Sequence, residues 1–240
     1  MIDNLVLDKK FKNIGIRLSG GADSSILYYA ICKYYKDTDT NIFPITIATK
    51  RKPWYIDGAN RVIQTVGDLL GVYPTKHYTY FEDDDTVDDL GQQYIDSQDN
   101  LMDYAISCEN LEIIYSGLTV NPHNPTLVKF LNDNAETFKI DMDRVHHHNN
   151  KRDIARDNPF DWGPVDTVHG EGKVIANFPF IDGDKKGTFK AYKDLDMLDI
   201  LYPLTFSCED PDDYKDIDTV EHCGHCFFCL ERWYGFGRIV

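Results

Sequence analysis

The stretch Ile14-Gly15-Ile16-Arg17-Leu18-Ser19-Gly20-Gly21-Ala22-Asp23-Ser24 joins an apolar strand pattern to a helical pattern through two glycines. Glycines let the backbone approach an oxyanion closely, and a helix N-terminus directs unpaired N–H groups towards it. An ordinary glycine turn with a capping Asp or Ser is the simpler alternative. Because all six residues 19–24 fall at one strand–helix junction, the sequence favours a phosphate-binding loop.

The side chains of this loop indicate the kind of phosphate chemistry. Ser19, Ser24 and Ser25 add hydroxyl donors, whereas Asp23 fits a Mg²⁺ ligand or a structural turn residue better than a direct phosphate contact. The loop lacks the lysine of the G-x-x-x-x-G-K-S/T phosphate loop, so γ-phosphate transfer is disfavoured.

The rest of the chain predicts an α/β fold built from βα units around a parallel sheet. We expect strands at 14–18, 41–48, 76–80 and 111–115, and helices at 24–35, 58–70 and 188–198. Pro44 indicates an edge position or an irregularity in the second strand. Residues 122–175 have weak periodicity and predict an insertion or substrate-covering loop, after which regularity returns at 176–181. Residues 1–200 form the predicted nucleotide-binding domain, and 201–240 a segment packed on it.

Composition excludes several classes of protein. The 240 residues carry a net charge of −15, which repels polyanions and disfavours direct nucleic-acid binding. Since no apolar run approaches the roughly 20 residues of a membrane span and no signal peptide opens the chain, we expect a cytoplasmic protein without membrane contact.

Four cysteines, Cys208, Cys223, Cys226 and Cys229, are separated by 14, 2 and 2 residues. This crowding favours a closed, structural Zn²⁺ site with four thiolate ligands. An iron–sulfur cluster and a redox-active or sulfur-carrying C-x-x-C pair are the alternatives. His222 and His225 lie inside the motif and are interpreted as bystanders.

Residues 19–24, SGGADS, resemble the SGGxDS signature of the PP-loop ATP pyrophosphatases, a family with the adenine-nucleotide α-hydrolase fold. The resemblance implies a Rossmann-like parallel sheet with helices on both faces, and Mg·ATP as cofactor. Members cleave ATP between the α- and β-phosphates and place AMP on a substrate oxygen, which a nitrogen or sulfur nucleophile then displaces. The resemblance also implies that Ala48, Thr49, Ser116 and Gly117 bind the nucleotide together with residues 19–25.

The C-terminal residues narrow the resemblance. Residues 204–208, 223–232 and 235–236 are similar to the T-x-S-C, C-G-x-C-x-x-C-x-x-R and Gly-Phe motifs of the 7-cyano-7-deazaguanine synthase family. This implies conversion of 7-carboxy-7-deazaguanine and ammonia to the nitrile through an adenylated carboxylate, with ATP, Mg²⁺ and Zn²⁺, in a homodimer. It also implies a phosphate-contacting lysine, for which Lys186 is preferred over Lys185. The implied catalytic residues are Ser19, Asp23, Ser24 and Lys186.

Two segments depart from that family. Residues 98–102, Gln-Asp-Asn-Leu-Met, stand where the family usually has a Pro-Ala-Arg-Asn stretch, and residues 121–126 lack its Asp and Arg. Two alternatives therefore stay open: a related adenylating ligase or amidotransferase for another carboxylate, and an ATP-binding module without catalysis.

Four further features have two interpretations each. Residues 50–52, Lys-Arg-Lys, are suited to a phosphate or carboxylate group but equally to a solvated turn, and Trp54 either stacks on a ring or packs. The acidic residues 82–85 favour a solvated loop over a metal cage. His146, His147 and His148 favour an exposed loop over a metal site, because adjacent side chains point in different directions.

Overall fold

The computed structural model describes residues 2, 4–50, 52–82, 90–119, 129–130, 132–134, 136, 166–169, 172–180, 183–208 and 214–239. Several predictions lie outside these residues: those for Arg51, Asp83 to Asp85, 121–126 and His146 to His148.

Six strands form one sheet. Their bounds are β1 Asn13–Arg17, β2 Asn41–Thr49, β3 Tyr78–Glu82, β4 Ile113–Ser116, β5 Asp166–His169 and β6 Gly172–Asn177. The helices are α1 Ala22–Tyr35, α2 Trp54–Leu70, α3 Leu90–Glu109, α4 Lys185–Asp194 and α5 Phe227–Phe236, with a short 3₁₀ helix at Tyr202–Leu204. The strand order is β3-β2-β1-β4-β6-β5, and every neighbouring pair is parallel except β5–β6. The predicted α/β, Rossmann-like fold is therefore confirmed.

The two faces of the sheet are buried by different helices, because successive residues of a strand point to opposite sides. Ile14 and Ile16 of β1 pack in one core with residues of α1, α2 and α4. Phe43 and Ile45 of β2 pack in a second core with Ala105 of α3. Helices therefore cover both faces, as predicted.

Pro44 corrects the edge-strand expectation, because β2 lies between β1 and β3. Asn41 N–H donates to Lys12 O on the β1 side, so by alternation the position of Pro44 faces β3. The ladder with β3 begins only at Ile45, paired with Tyr78. The missing N–H of Pro44 therefore falls where the ladder does not need it.

The prediction for 122–175 is wrong at its C-terminal end. Residues Asp166–His169 and Gly172–Asn177 form an antiparallel pair at the sheet edge, and β6 continues the parallel sheet beside β4. Element ends also shift: α2 begins at Trp54, β3 begins at Tyr78, and α4 begins at Lys185.

The C-terminal residues pack on the sheet domain. Phe236 of α5 stacks on Tyr202 with ring centroids 4.0 Å apart, and both belong to the core that contains β1. Phe206 N–H donates to Gly20 O at 3.0 Å. Within the described part of the chain, no helix combines the length and apolar character that a bilayer crossing requires.

Candidate functional site

The glycine loop lies at the switch point of the sheet. From β1 the chain continues through α1 to β2 on one side, whereas β4 pairs with the other side of β1. In open α/β sheets, ligands bind in the crevice at the carboxyl ends of the strands at such a point. The loop after β1 meets Ser116, the last residue of β4, and Gly117 there.

The loop backbone is fitted closely to its neighbours. Gly20 has a φ of +75°, and a Cβ there would lie 2.8 Å from Ala59 N of α2. A Cβ on Gly117 would lie 2.7 Å from Ser24 N at the start of α1. Both positions therefore require glycine, and Gly117 brings the end of β4 against the helix N-terminus.

The N-terminus of α1 is arranged as an anion site. Gly21 is its N-cap, and no side chain of the described residues caps it. Ser19 Oγ lies 3.3 Å from Ser24 Oγ, and both serines line the cavity. Backbone N–H groups at a helix N-terminus and two hydroxyls are donors that suit a phosphate.

Ser25, predicted as a hydroxyl donor of the loop, is not among the residues that line the cavity. It is fully buried and donates from Oγ to Gly21 O at 2.7 Å, one turn back in its own helix. Ala22 is also buried, and its carbonyl accepts from Tyr192 Oη at 2.8 Å. These two residues shape the loop from within.

Asp23 is held by two residues of α4. Thr188 Oγ1 donates to Asp23 Oδ1 at 2.7 Å, and Lys185 Nζ pairs with Asp23 Oδ2. The side chain of Lys185 is only 6% exposed, so its charge lies inside the cavity beside the loop.

Of the two adjacent lysines, Lys185 lines the cavity, whereas the sequence favoured Lys186. Lys186 Nζ lies 4.3 Å from the ring centroid of Tyr234 and does not line the cavity. The two lysine side chains point in different directions because α4 begins at Lys185, and adjacent residues of a helix project about 100° apart. Gly235 of α5 makes room for this lysine, since a Cβ there would lie 2.8 Å from Lys185 O.

The cavity measures about 220 Å³ and has three walls. The first is the loop with Asp23, Lys185 and residues 116–119. The second lies on the α3 side of the sheet, with Arg17, Ile45, Ile47 and Gln98. The third comes from α2 and the cysteine segment. Its members are Tyr55, Phe206, Ser207 and Phe228.

The contribution of β2 differs from the prediction. Ile45 and Ile47 line the cavity, whereas Ala48 is fully buried and by alternation points to the other face. Thr49 Oγ1 accepts from Lys52 N at 3.2 Å in the turn that follows the strand. Trp54 packs instead of facing a ligand, with its ring 5.8 Å from that of Phe206.

The four cysteines converge as predicted, with ligand atoms within 4.8 Å of one another. The Sγ–Sγ distance is 3.4 Å for Cys226–Cys229 and 3.9 Å for both Cys226–Cys208 and Cys223–Cys229. Sulfurs placed tetrahedrally at about 2.3 Å from one ion lie about 3.8 Å apart. The group therefore fits a single metal ion.

Local backbone geometry supports this cluster. Gly224 has a φ of +76°, which gives the tight turn between Cys223 and Cys226. Cys226 N–H donates to Cys223 Sγ at 3.3 Å. His225 Nδ1 lies 2.8 Å from Cys223 O, so this ring contacts backbone and not the sulfurs.

Sequence reasoning missed several cavity residues. The signal for Arg17 was a charge that ends an apolar strand pattern, and Gln98 stood in a segment noted only for its departure from a family pattern. Phe206, Ser207 and Phe228 enter the cavity only because the cysteine segment folds back on the loop. Nothing local in the sequence indicates that contact.

Comparison with known proteins identifies no family. No family model matches the chain, and no curated protein matches it. One similar solved structure is the U34-tRNA thiolase NcsA from Methanococcus maripaludis with its 4Fe-4S cluster, at 12% identity and a TM-score of 0.49. The alignment covers 78% of this chain and 58% of that chain, so this chain spans little more than half of its length. A similarity of this size assigns no role to any residue here.

Proposed function

We propose that this chain is an ATP-dependent enzyme of the PP-loop type that transfers AMP to a substrate carboxylate. The observation that carries the proposal is the cavity at the switch point, into which the uncapped N-terminus of α1 opens beside the Lys185–Asp23 pair. Phosphate oxygens accept from the loop N–H groups, Ser19 and Ser24. The adjoining walls carry the side chains of Arg17, Gln98 and Phe206, which we propose face the substrate.

Lys185 and Asp23 have complementary roles in this proposal. When Mg·ATP enters, Lys185 Nζ exchanges the Asp23 carboxylate for phosphate oxygens, and Asp23 becomes available to Mg²⁺. Thr188 Oγ1 keeps its hydrogen bond to Asp23 and fixes the carboxylate during this exchange. A lysine near the departing pyrophosphate offsets the charge that develops when the α–β bond breaks.

The substrate we propose is 7-carboxy-7-deazaguanine. Its carboxylate oxygen attacks the α-phosphorus, the bond to the bridging oxygen breaks, and pyrophosphate leaves. Ammonia then attacks the acyl carbon, so AMP and a proton are released and an amide forms. A second ATP adenylates the amide oxygen with release of pyrophosphate, and loss of AMP and protons gives the nitrile. Another carboxylate with the same first step is the alternative.

For the cysteine cluster we propose a resident Zn²⁺ held by Cys208, Cys223, Cys226 and Cys229. Its support is the spacing of the sulfurs, which suits one tetrahedral ion, whereas a cluster of several irons binds each thiolate at a different metal centre. A bound Zn²⁺ supplies folding energy and no open coordination position. A homodimer stays a prediction from the sequence.

A sulfur-transfer reaction has less support. Cys32 is fully buried in α1, and burial raises the pKa of its thiol to about 12, so it is protonated at neutral pH. If the four clustered cysteines bind a metal, Cys108 is the remaining candidate for sulfur transfer. It lies in α3 and is not among the residues that line the cavity.

The deciding experiment incubates the protein with ATP, Mg²⁺, ammonium and 7-carboxy-7-deazaguanine, and follows AMP, pyrophosphate and the nitrile by mass spectrometry. AMP and nitrile together are expected. AMP only with a different carboxylate would replace the substrate and keep the reaction class. ATP binding without AMP for any carboxylate in a panel would leave a nucleotide-binding module.

A further inference from the structure

Two cationic side chains, Arg17 and Lys185, line the described part of the cavity, and they lie on different sides of the sheet. Lys185 belongs to α4, which packs on the side of α1, and it pairs there with Asp23. Arg17 ends β1 in register with Ile45 and Ser116. Since Ile45 packs against α3, Arg17 lies on the α3 side.

The position of Arg17 is unusual for a charged residue. Two residues earlier on the same face, a Cβ on Gly15 would contact the side chains of Leu111, Ile114 and Ile45, so this face is tightly packed and apolar. A charge on the central strand of such a sheet is costly unless polar partners meet it. One such partner is Gln98 of α3, whose Oε1 accepts a hydrogen bond from Arg17 Nη2.

Gln98 orients the guanidinium and adds no charge of its own, because an amide is neutral. A guanidinium has five N–H donors in a planar fork that matches a carboxylate. The cavity that Arg17 lines is also lined by the aliphatic side chains of Ile45 and Ile47 and by the ring of Phe206. A planar ring bearing a carboxylate is complementary to these surroundings.

We propose that Arg17, held in place by Gln98, binds the carboxylate of the substrate that is to be adenylated. This assignment rests on the proposed function. The chain has a net charge of −15, and the triphosphate of ATP is also negative. A carboxylate that binds next to that triphosphate is therefore repelled unless a nearby cation offsets the repulsion. Arg17 supplies that cation on the side away from Lys185 and holds one carboxylate oxygen while the other faces the loop. Arg17 is thereby a specificity-determining residue for acids over neutral analogues.

The test compares two ligands that share one ring. Binding of 7-carboxy-7-deazaguanine and of the uncharged 7-cyano-7-deazaguanine is measured by calorimetry in the presence of α,β-methylene ATP. Variants are Arg17→Met, Arg17→Lys, Gln98→Leu and the surface control Arg238→Met. Arg17→Met is expected to lose about 10-fold to 100-fold in affinity for the acid and less than about 3-fold for the nitrile. Arg17→Lys and Gln98→Leu are expected to fall between Arg17→Met and the wild type.

Affinity for α,β-methylene ATP alone shows whether each variant is folded and keeps its phosphate site. Two results would overturn the assignment of Arg17 and leave the proposed AMP formation by the wild type unaffected. One is an equal loss of affinity for the acid and for the nitrile in Arg17→Met. The other is an unchanged affinity of Arg17→Met for the acid. A wild type that binds ATP but neither deazaguanine would instead refute the proposed substrate, and the assignment with it. If Arg17→Met loses α,β-methylene ATP but not the acid, Arg17 serves the nucleotide and the assignment is wrong.

Discussion

Arg232 Nη1 donates a hydrogen bond to Ser207 Oγ at 3.2 Å, and this bond joins α5, the helix that contains Cys229, to the segment that contacts the glycine loop. Ser207 Oγ lies 3.3 Å from where a Cβ on Gly21 would stand. The preceding residue, Phe206, donates its N–H to Gly20 O at 3.0 Å. Because Cys208 follows directly, the cysteine cluster and the cavity share one short stretch of backbone.

Removing the metal should therefore weaken nucleotide binding as well as the C-terminal fold. Without an ion to hold Cys208, residues 206–207 lose their anchor, and we expect affinity for α,β-methylene ATP to fall about 5-fold to 100-fold. Calorimetry before and after chelation measures this, with metal content by mass spectrometry and Zn²⁺ re-addition as the control. Coupling is reciprocal, so the nucleotide should tighten metal binding by the same factor. Equal affinities of the holo and the still-folded metal-free protein would contradict it.

Arg232 itself should be one of the most sensitive residues for stability. It is fully buried and also donates to Ile239 O at 2.7 Å and Thr205 Oγ1 at 2.9 Å. Arg232→Met removes these three hydrogen bonds from a fully buried position, which should cost about 2–4 kcal/mol in the free energy of unfolding. Urea denaturation measures it. Arg238→Met is the matched control, because Arg238 pairs with the exposed Asp199, and such surface pairs contribute about 1 kcal/mol or less. Similar losses in both variants would refute this.

Lys185 and Lys186 are adjacent and should behave differently. Lys185→Met removes the cavity cation next to Asp23, so we expect AMP formation to fall about 100-fold or more. Lys186→Met loses a contact with the ring of Tyr234 and should change AMP formation less than about 3-fold. AMP release with the proposed substrates gives the rates, and thermal unfolding checks that both variants fold. Comparable rates of AMP formation for the two variants would contradict the special role proposed for Lys185.

Gly235 should tolerate no side chain, in contrast to Gly187 in the neighbouring helix. A Cβ on Gly235 would lie 2.8 Å from the carbonyl carbon and oxygen of Lys185, so Gly235→Ala must separate α5 from α4. We expect a loss of about 1–3 kcal/mol in stability, together with weaker nucleotide binding as Lys185 shifts. Gly187→Ala meets nothing within 4 Å and should stabilise the helix by about 0.5–1 kcal/mol. Denaturant titration and calorimetry measure both, and an unaffected Gly235→Ala would contradict the packing argument.

The sequence predicted those parts of the site that depend on neighbouring residues in the chain. The glycine loop between β1 and α1 has a local sequence pattern. The cysteines are also close in sequence, so their convergence could be predicted without knowledge of the rest of the fold. The side of a strand or helix that faces a cavity is harder to predict, since an error of one residue reverses it. Ala48 and Lys186, which the resemblance implies, each lie one position from a residue that lines the cavity, Ile47 and Lys185.

Other features depend on contacts between distant segments and leave no local trace. The β5–β6 pair is stabilised by the edge of β4, and its residues are too polar to show a strand period. The bond from Arg232 to Ser207 spans 25 residues and needs the cysteine segment to fold first. Arg17 was visible as a charge in an apolar pattern, but its role depends on Gln98, a partner 81 residues away.

His77 should make the protein less stable in acid. Its Nε2 lies 2.8 Å from Thr46 Oγ1 and its Nδ1 3.0 Å from Asn60 Oδ1, and burial lowers the pKa of the imidazole from 6.5 to about 4. The folded state therefore favours the neutral ring, so its contribution is fully present above pH 6.5 and is lost as the pH falls towards 4.

For the wild type we expect a fall of about 1–3 kcal/mol from this group across that interval. The measurement is urea denaturation of wild type and His77→Gln at several pH values from neutral to 4. Carboxylates contribute equally to both proteins, so the difference in slope isolates His77. His77→Gln should be the less stable protein at pH 8 and should lose less stability on acidification, because glutamine keeps a hydrogen bond to Thr46 but does not titrate. Parallel pH profiles for the two proteins would show that the imidazole titrates alike in the folded and unfolded states.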